Sequence, residues 1–149
     1  MPSFFIIRTV LLLLAGSGFS FMPAPAESKL TVSITNLTND KGHVLVSLYN
    51  TAEGFPSKPE KAVQKRRVTI TNKQASVEFS AVPAGTYAVA VLHDENDDQK
   101  MNTNWLGIPK EGYGFSNNVT GTLGPPPFSK ASFTVEKDEQ KSISIRLRH

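Results

Sequence analysis

Asn39-Asp40-Lys41-Gly42-His43-Val44-Leu45-Val46-Ser47-Leu48 is the stretch that decides the fold. Turn-forming residues ending in Gly42 give way to a segment in which Val44, Val46 and Leu48 recur at every second position. That period puts all three on one face of a β-strand, whereas a helix would scatter them. Working back, Leu30, Val32 and Ile34 repeat the pattern. Working forward, Val68 and Ile70 mark a third strand, and Ala75, Val77 and Phe79 mark a fourth. The dipeptide Asn72-Lys73 between those two predicts a tight hairpin. Tyr87, Val89 and Val91 mark a fifth strand. Residues 131–136 and 142–147 close the series through the turn Lys137-Asp138-Glu139, with Ile143, Ile145 and Leu147 alternating again. Seven short strands with frequent turns predict an all-β fold, a seven-stranded antiparallel β-sandwich. Residues 53–67 depart from the rhythm because Pro56 and Pro59 break it, and residues 60–65 are expected to form one or two helical turns. Lys58, Lys61, Lys65, Arg66 and Arg67 make this segment basic; it reads as a solvated face, with contact to an anionic surface or polysaccharide as the functional alternative.

A chain of 149 residues with 39% hydrophobic and 19% charged residues suits one globular domain and excludes a large multidomain enzyme. The absence of cysteine excludes disulfides, thiolate metal sites and a cysteine nucleophile. Residues 1–26 have the layout of a secretory signal peptide: Arg8, an apolar run around Leu11 to Leu14, and Ala24-Pro25-Ala26 before Glu27. Gly16 and Gly18 interrupt the run, which is shorter than the ~20 apolar residues of a spanning helix, so no transmembrane anchor is expected after cleavage. The expected organisation is a signal peptide, 1–26, and a single sandwich domain, 27–149, in the periplasm or outside the cell. Cleavage removes Arg8 alone among the charges and lowers the net charge from +3 to +2, too mild for nucleic-acid binding.

Between the fifth strand and residue 128 the alternation stops. Residues 94–128 form a longer stretch than the ~12–15 residues beyond which structureless loops become uncommon. The stretch contains the sole tryptophan, Trp105, together with Tyr113, Phe115 and Phe128, a composition that argues for order. Five of the ten glycines, Gly107, Gly112, Gly114, Gly121 and Gly124, imply a tightly specified backbone path, with Gly114 expected to be needed for a positive φ. These features predict an ordered Ω-like loop packed on one end of the sandwich.

The order Pro83-Ala84-Gly85-Thr86-Tyr87-Ala88-Val89, His93-Asp94-Glu95-Asn96, then Gly107-Ile108-Pro109-Lys110-Glu111-Gly112-Tyr113-Gly114-Phe115-Ser116-Asn117-Asn118 and Pro125-Pro126-Pro127-Phe128 resembles a bacterial exported family catalogued as domain of unknown function 2141. The resemblance covers about residues 30–147 and is most specific over 107–118. The expected sandwich is transthyretin-like or immunoglobulin-like, and the resemblance implies an exported bacterial protein similar to transthyretin-like and carboxypeptidase-regulatory-like modules, in which a Pro-x-Gly-x-Tyr turn leads into a strand. It brings no activity with it.

Asp94, Asn96 and Asp98 stand at alternate positions, the spacing by which a tight loop aims oxygen side chains at one hard cation, as in a calcium loop. Lys100 would add its carbonyl, and Asn102 a side-chain oxygen or a water. Gln99 stands where calcium loops and the resembling family prefer glycine, Asn102 where that family often has Asp, and Trp105 cannot ligate. The alternative is a turn whose side chains cap their own backbone amides. For nucleophilic catalysis the one serious base is His93, with Ser116 and either Asp94 or Glu111 completing a set on paper; no Gly-x-Ser-x-Gly elbow surrounds Ser116. Glu95 and Glu111 are the pair a glycosidase would need. Trp105 and Tyr113, each aromatic with a polar handle, are the candidate ligand contacts, with His93, Glu111, Ser116 and Asn117 beside them, whereas Phe115 reads as a core plug. The expectation is an exported, non-catalytic module that binds an envelope or extracellular ligand through residues 94–128, with a weak calcium site as an accompanying candidate. A small hydrolase and a structural module of an envelope assembly are the alternatives.

Overall fold

The computed structural model describes residues 27–149; the signal peptide expected at 1–26 lies outside the described residues. Eight strands form: β1 Lys29–Thr35, β2 His43–Tyr49, β3 Gln64–Val68, β4 Ala75–Ser80, β5 Gly85–Asp94, β6 Tyr113–Phe115, β7 Phe133–Val135 and β8 Gln140–Arg146. They make two sheets, one ordered β4-β1-β8 and one ordered β3-β2-β5-β6, with β7 pairing the first residues of β5. The alternation read from sequence is the inward face. Leu30, Val32 and Ile34 of β1 meet Val44, Val46 and Leu48 of β2, Phe79 of β4, Val89 and Val91 of β5 and Ile145 of β8 in one buried core.

Three sequence expectations are corrected. The count is eight because Tyr113–Phe115 forms a strand within the stretch expected to be loop, too short to show a period. The fold is not wholly antiparallel: β1 and β8 run parallel, from Lys29 opposite Gln140 to Thr35 opposite Arg146. Side-chain alternation is the same in either direction, and the chain between these strands is ample for a crossover, so the pattern could not reveal it. The helical turns expected at 60–65 shrink to a 3-10 turn at Pro59–Lys61, after which Lys65, Arg66 and Arg67 enter β3. The hairpin at Asn72-Lys73 is present, both residues having positive φ between the bridged pair Thr71 and Gln74.

β3 is an edge strand, and its charges guard the edge. Arg66, opposite core-facing Val46, turns its guanidinium over the Phe79 ring at 5.2 Å. Gln64 donates to the Ser80 carbonyl across the sheets at 3.3 Å. On the outer face of the larger sheet a second apolar cluster gathers Tyr49, Ala88, Ala90, Phe115 and Ala131 under Phe55 and Phe128. Phe55 meets Tyr49, Phe115 and Phe128 edge-on at 5.4–6.0 Å. The Tyr87 hydroxyl donates to the Pro83 carbonyl at 2.8 Å, fixing the turn that opens β5.

Candidate functional site

The long segment after β5 is an ordered excursion tied down at its root. Asp94, the last residue of β5, is fully buried, and its carboxylate caps the turn that follows. One oxygen accepts the Asp98 amide at 3.1 Å and the other the Gln99 amide at 2.8 Å. Asp97 and Gln99 hold φ values of +59° and +63° within that turn. Glu111 is buried on the returning limb and clamps both limbs, accepting the Glu95 amide and the Asn102 amide at 3.0 Å each. Asp98 accepts the Lys100 amide at 2.9 Å, the Asn102 side-chain amide at 2.9 Å and the Asn96 side-chain amide at 3.2 Å. Those bonds, Asn102 first, hold the Asp98 carboxyl below its usual pKa. Beside the turn, Asp97 accepts from His43 Nδ1 at 2.7 Å and from Arg67 at 3.0 Å, and both bonds lower its pKa, the His43 bond most. Arg67 also approaches His43 Nδ1 at 2.9 Å, but a nitrogen that donates to Asp97 has no lone pair left to accept.

Beyond the clamp the chain narrows to a tip. The Asn104 side-chain oxygen accepts the Leu106 and Ile108 amides at 2.9 and 3.0 Å, and the Gly107 amide donates to the Asn104 carbonyl at 3.0 Å. Thr103 bridges Pro109 below it. With these amides bonded internally, the tip holds Trp105 90% exposed, Leu106 60% and Ile108 54%. Met101 adds a further exposed apolar side chain.

The remaining candidates are drawn inward. His93 is fully buried; its Nε2 donates to the Lys41 carbonyl at 2.9 Å, since a carbonyl only accepts. Its Nδ1 has no hydrogen-bond partner and lies 3.9 Å from Glu95 Oε1. Glu95 has its carboxyl lowered by the Asn39 amide first and by Thr38 as well. Ser116 is fully buried, its hydroxyl accepting the Val89 amide at 2.9 Å and donating to the Ala131 carbonyl. Val89 and His93 are four residues apart along β5, about 13 Å at the usual strand rise, so the structure does not bring Ser116 to His93. Glu111, proposed as acid, base or ligand contact, has both oxygens on backbone amides, one of them that of Glu95. Tyr113 is half-buried against Phe115, with ring centroids 5.9 Å apart. The Asn117 amide donates to the Lys130 and Ser132 carbonyls at 3.1 and 2.8 Å. Of the residues expected to meet a ligand, Trp105 stands at the tip. Leu106 and Ile108 beside it were missed, although an apolar Trp-Leu-Gly-Ile run between polar neighbours signals them.

Gly114 also differs from expectation, because its φ is not positive. A Cβ there would stand 2.8 Å from Ile145 Cγ2 and 3.1 Å from Leu147 Cδ2, so its role is to let β6 close against β8. Arg148, just past β8, exchanges both backbone hydrogen bonds with Tyr113 and joins the two sheets at this side.

With that geometry in view, comparison with known proteins places the chain. The profile of the bacterial family described as "Uncharacterized protein conserved in bacteria (DUF2141)" matches residues 32–144. The chain belongs to this family. The match spans every strand of the DUF2141 sandwich in part or whole, and it includes the clamp and the tip. Comparison with curated proteins gives no match. Among solved structures, a pilus-presented adhesin, Cpa, is 12% identical with a TM-score of 0.24, over 85% of this chain. The chain spans 27% of that adhesin's length, and the likeness carries no argument.

Proposed function

We propose that this DUF2141 protein is an exported, non-catalytic β-sandwich that binds an envelope or extracellular ligand through the segment 94–128, with the tip formed by Trp105, Leu106 and Ile108 as the contact surface. One observation carries the reading: a tryptophan 90% exposed beside two exposed aliphatics, on a tip held in place by internal hydrogen bonds. An apolar cluster kept ordered in water marks a surface that is covered on binding. Trp105 contributes area and an indole donor together. The separation of Ser116 from His93 supports the non-catalytic half of the reading. A panel of ester and glycoside substrates compared with His93→Ala tests that half; turnover lost in the variant would favour the hydrolase. For the binding half, an envelope fraction added to the protein is expected to shift Trp105 emission, and a Trp105→Ala, Leu106→Ala variant is expected to lose retention on that fraction. Equal retention by the variant would refute the tip as the contact.

A weak calcium site is a second reading of the clamp, favoured by convergence. The Asn96 and Asn102 amides both meet one oxygen of Asp98; the Asn96 oxygen is held by the Asp98 amide at 3.3 Å, and turning the Asn102 amide over would present its oxygen to Asp98 instead. Gln99, at the position where calcium loops place glycine, takes the positive φ that glycine would supply. Among the described residues no three His, Cys, Asp or Glu side chains gather as a metal site. The ion would therefore depend on the Asn oxygens and the Lys100 carbonyl. Affinity would fall at the weak end, about 10⁻⁴–10⁻³ M.

A further inference from the structure

Beside the root of the loop, the end of β8 borders an open cavity of about 670 Å³ lined by Asn36, Asn118, Arg146, Leu147, Arg148 and His149. Ile145 and Leu147 are buried in the core, so the alternation of the strand sends Arg146 and Arg148 to the opposite, exposed side. The frame around them is fixed by hydrogen bonds. The Arg146 amide donates to Asn118 Oδ1 at 2.8 Å, Asn118 Nδ2 to the Ser144 carbonyl at 3.1 Å, and Asn36 Nδ2 to the Leu147 carbonyl at 2.8 Å. His149 Nε2 donates to the Asn36 carbonyl at 2.7 Å and sets its ring against Gly112, where a Cβ would collide with it at 2.6 Å. No acidic side chain lines this cavity, and among the described residues neither guanidinium forms an ion pair.

Two arginines without a carboxylate partner line one cavity, and the forked donors of a guanidinium match a planar carboxylate or a phosphate. We propose that this cavity is an oxyanion site, which takes a carboxylate or phosphate group of the ligand on Arg146 and Arg148. Neither arginine belongs to the tip, so the inference stands or falls apart from Trp105.

The test is an amide NMR titration of the chain with inorganic phosphate, with galacturonate, with glucose, and with sodium chloride at matched ionic strength. Saturable shifts at Asn36, Asn118 and residues 146–149 are expected with phosphate or galacturonate and not with glucose or chloride, and the stronger of the two anions identifies the group recognised. The Arg146→Gln, Arg148→Gln variant changes two exposed side chains and keeps the backbone bonds; it is expected to retain a folded spectrum and to bind about tenfold more weakly. Shifts that chloride reproduces, or that the variant retains at full affinity, would overturn the site.

Discussion

Gly114 and Gly107 are both glycines of one segment, yet they are required for different reasons. At Gly107 φ is +78° and nothing stands within 4 Å of where a methyl would sit, so Gly107→Ala is expected to cost about 1 kcal/mol of backbone strain and no packing. At Gly114 the backbone is ordinary and the space is missing, so Gly114→Val should push β6 from β8 and cost about 1–3 kcal/mol by overpacking. Urea midpoints measure both; equal small losses would mean that β8 yields easily. Charge acts at this scale too. Glu95, Asp97 and Asp98 all have carboxyls held below their ordinary values, by Asn39, His43 and Asn102 respectively in first place. A depressed carboxyl contributes stability that is full above its unfolded pKa, roughly 4, and is lost as pH falls through its folded value. The carboxylate contribution to the urea midpoint is therefore expected to be flat from pH 7 to about 5 and to decline below about 4. Asp98→Asn should reduce that decline, and an unchanged acid slope in the variant would count against its bonds.

At the scale of elements, the tip is only as well placed as the two limbs that carry it, and Glu111 ties those limbs together. Glu111→Gln keeps one acceptor oxygen and turns an NH2 group toward a backbone donor, so one of the two clamp bonds is lost at about 1–3 kcal/mol. Hydrogen exchange should quicken at the Glu95 and Asn102 amides while the core of β1 and β2 keeps its protection. Unchanged exchange at both would mean that Asp94 holds the turn alone. If the same turn holds calcium, the second reading proposed above, ~10 mM calcium raises the melting temperature of the parent chain and not that of Asp98→Ala. A parent chain indifferent to calcium and EDTA leaves a self-capped turn. The strands that bury one face were legible because Val44, Val46 and Leu48, or Ile143 and Ile145, write their environment into their own spacing. β6 was not, since Tyr113-Gly114-Phe115 shows one alternation at most and its pairing depends on Leu92 and Arg148, both remote in sequence. The two roles of Asp94, strand end and turn cap, were half visible in the Asp-x-Asn-x-Asp spacing. That Glu111 completes the clamp depends on how the chain returns, which no local pattern records.

For the molecule as a whole, export is the expectation that most constrains where the sandwich works. Intact mass of the protein recovered from an expressing bacterium should correspond to a chain beginning at Glu27, since Ala24 and Ala26 suit the peptidase pocket. A full-length chain held in membranes would contradict it. The number of strands and their two-layer arrangement were nearly readable, whereas strand direction and the arginine-lined cavity were not. Arg146 and Arg148 look in sequence like ordinary outward residues of a last strand, and only the approach of Asn36 and Asn118 gives them a cavity to line.

The parallel pairing of β1 with β8 also governs when the fold can form. β1 lies between β4 and β8, and the whole intervening chain must be looped out before Lys29 meets Gln140. Contacts this remote in sequence carry a large closure entropy before they return any stabilisation, which places the domain with high-contact-order proteins that fold in milliseconds to seconds. A chain that emerges with its first strand leading cannot complete the smaller sheet until its last strand has followed, so that sheet is the last part of the fold to close.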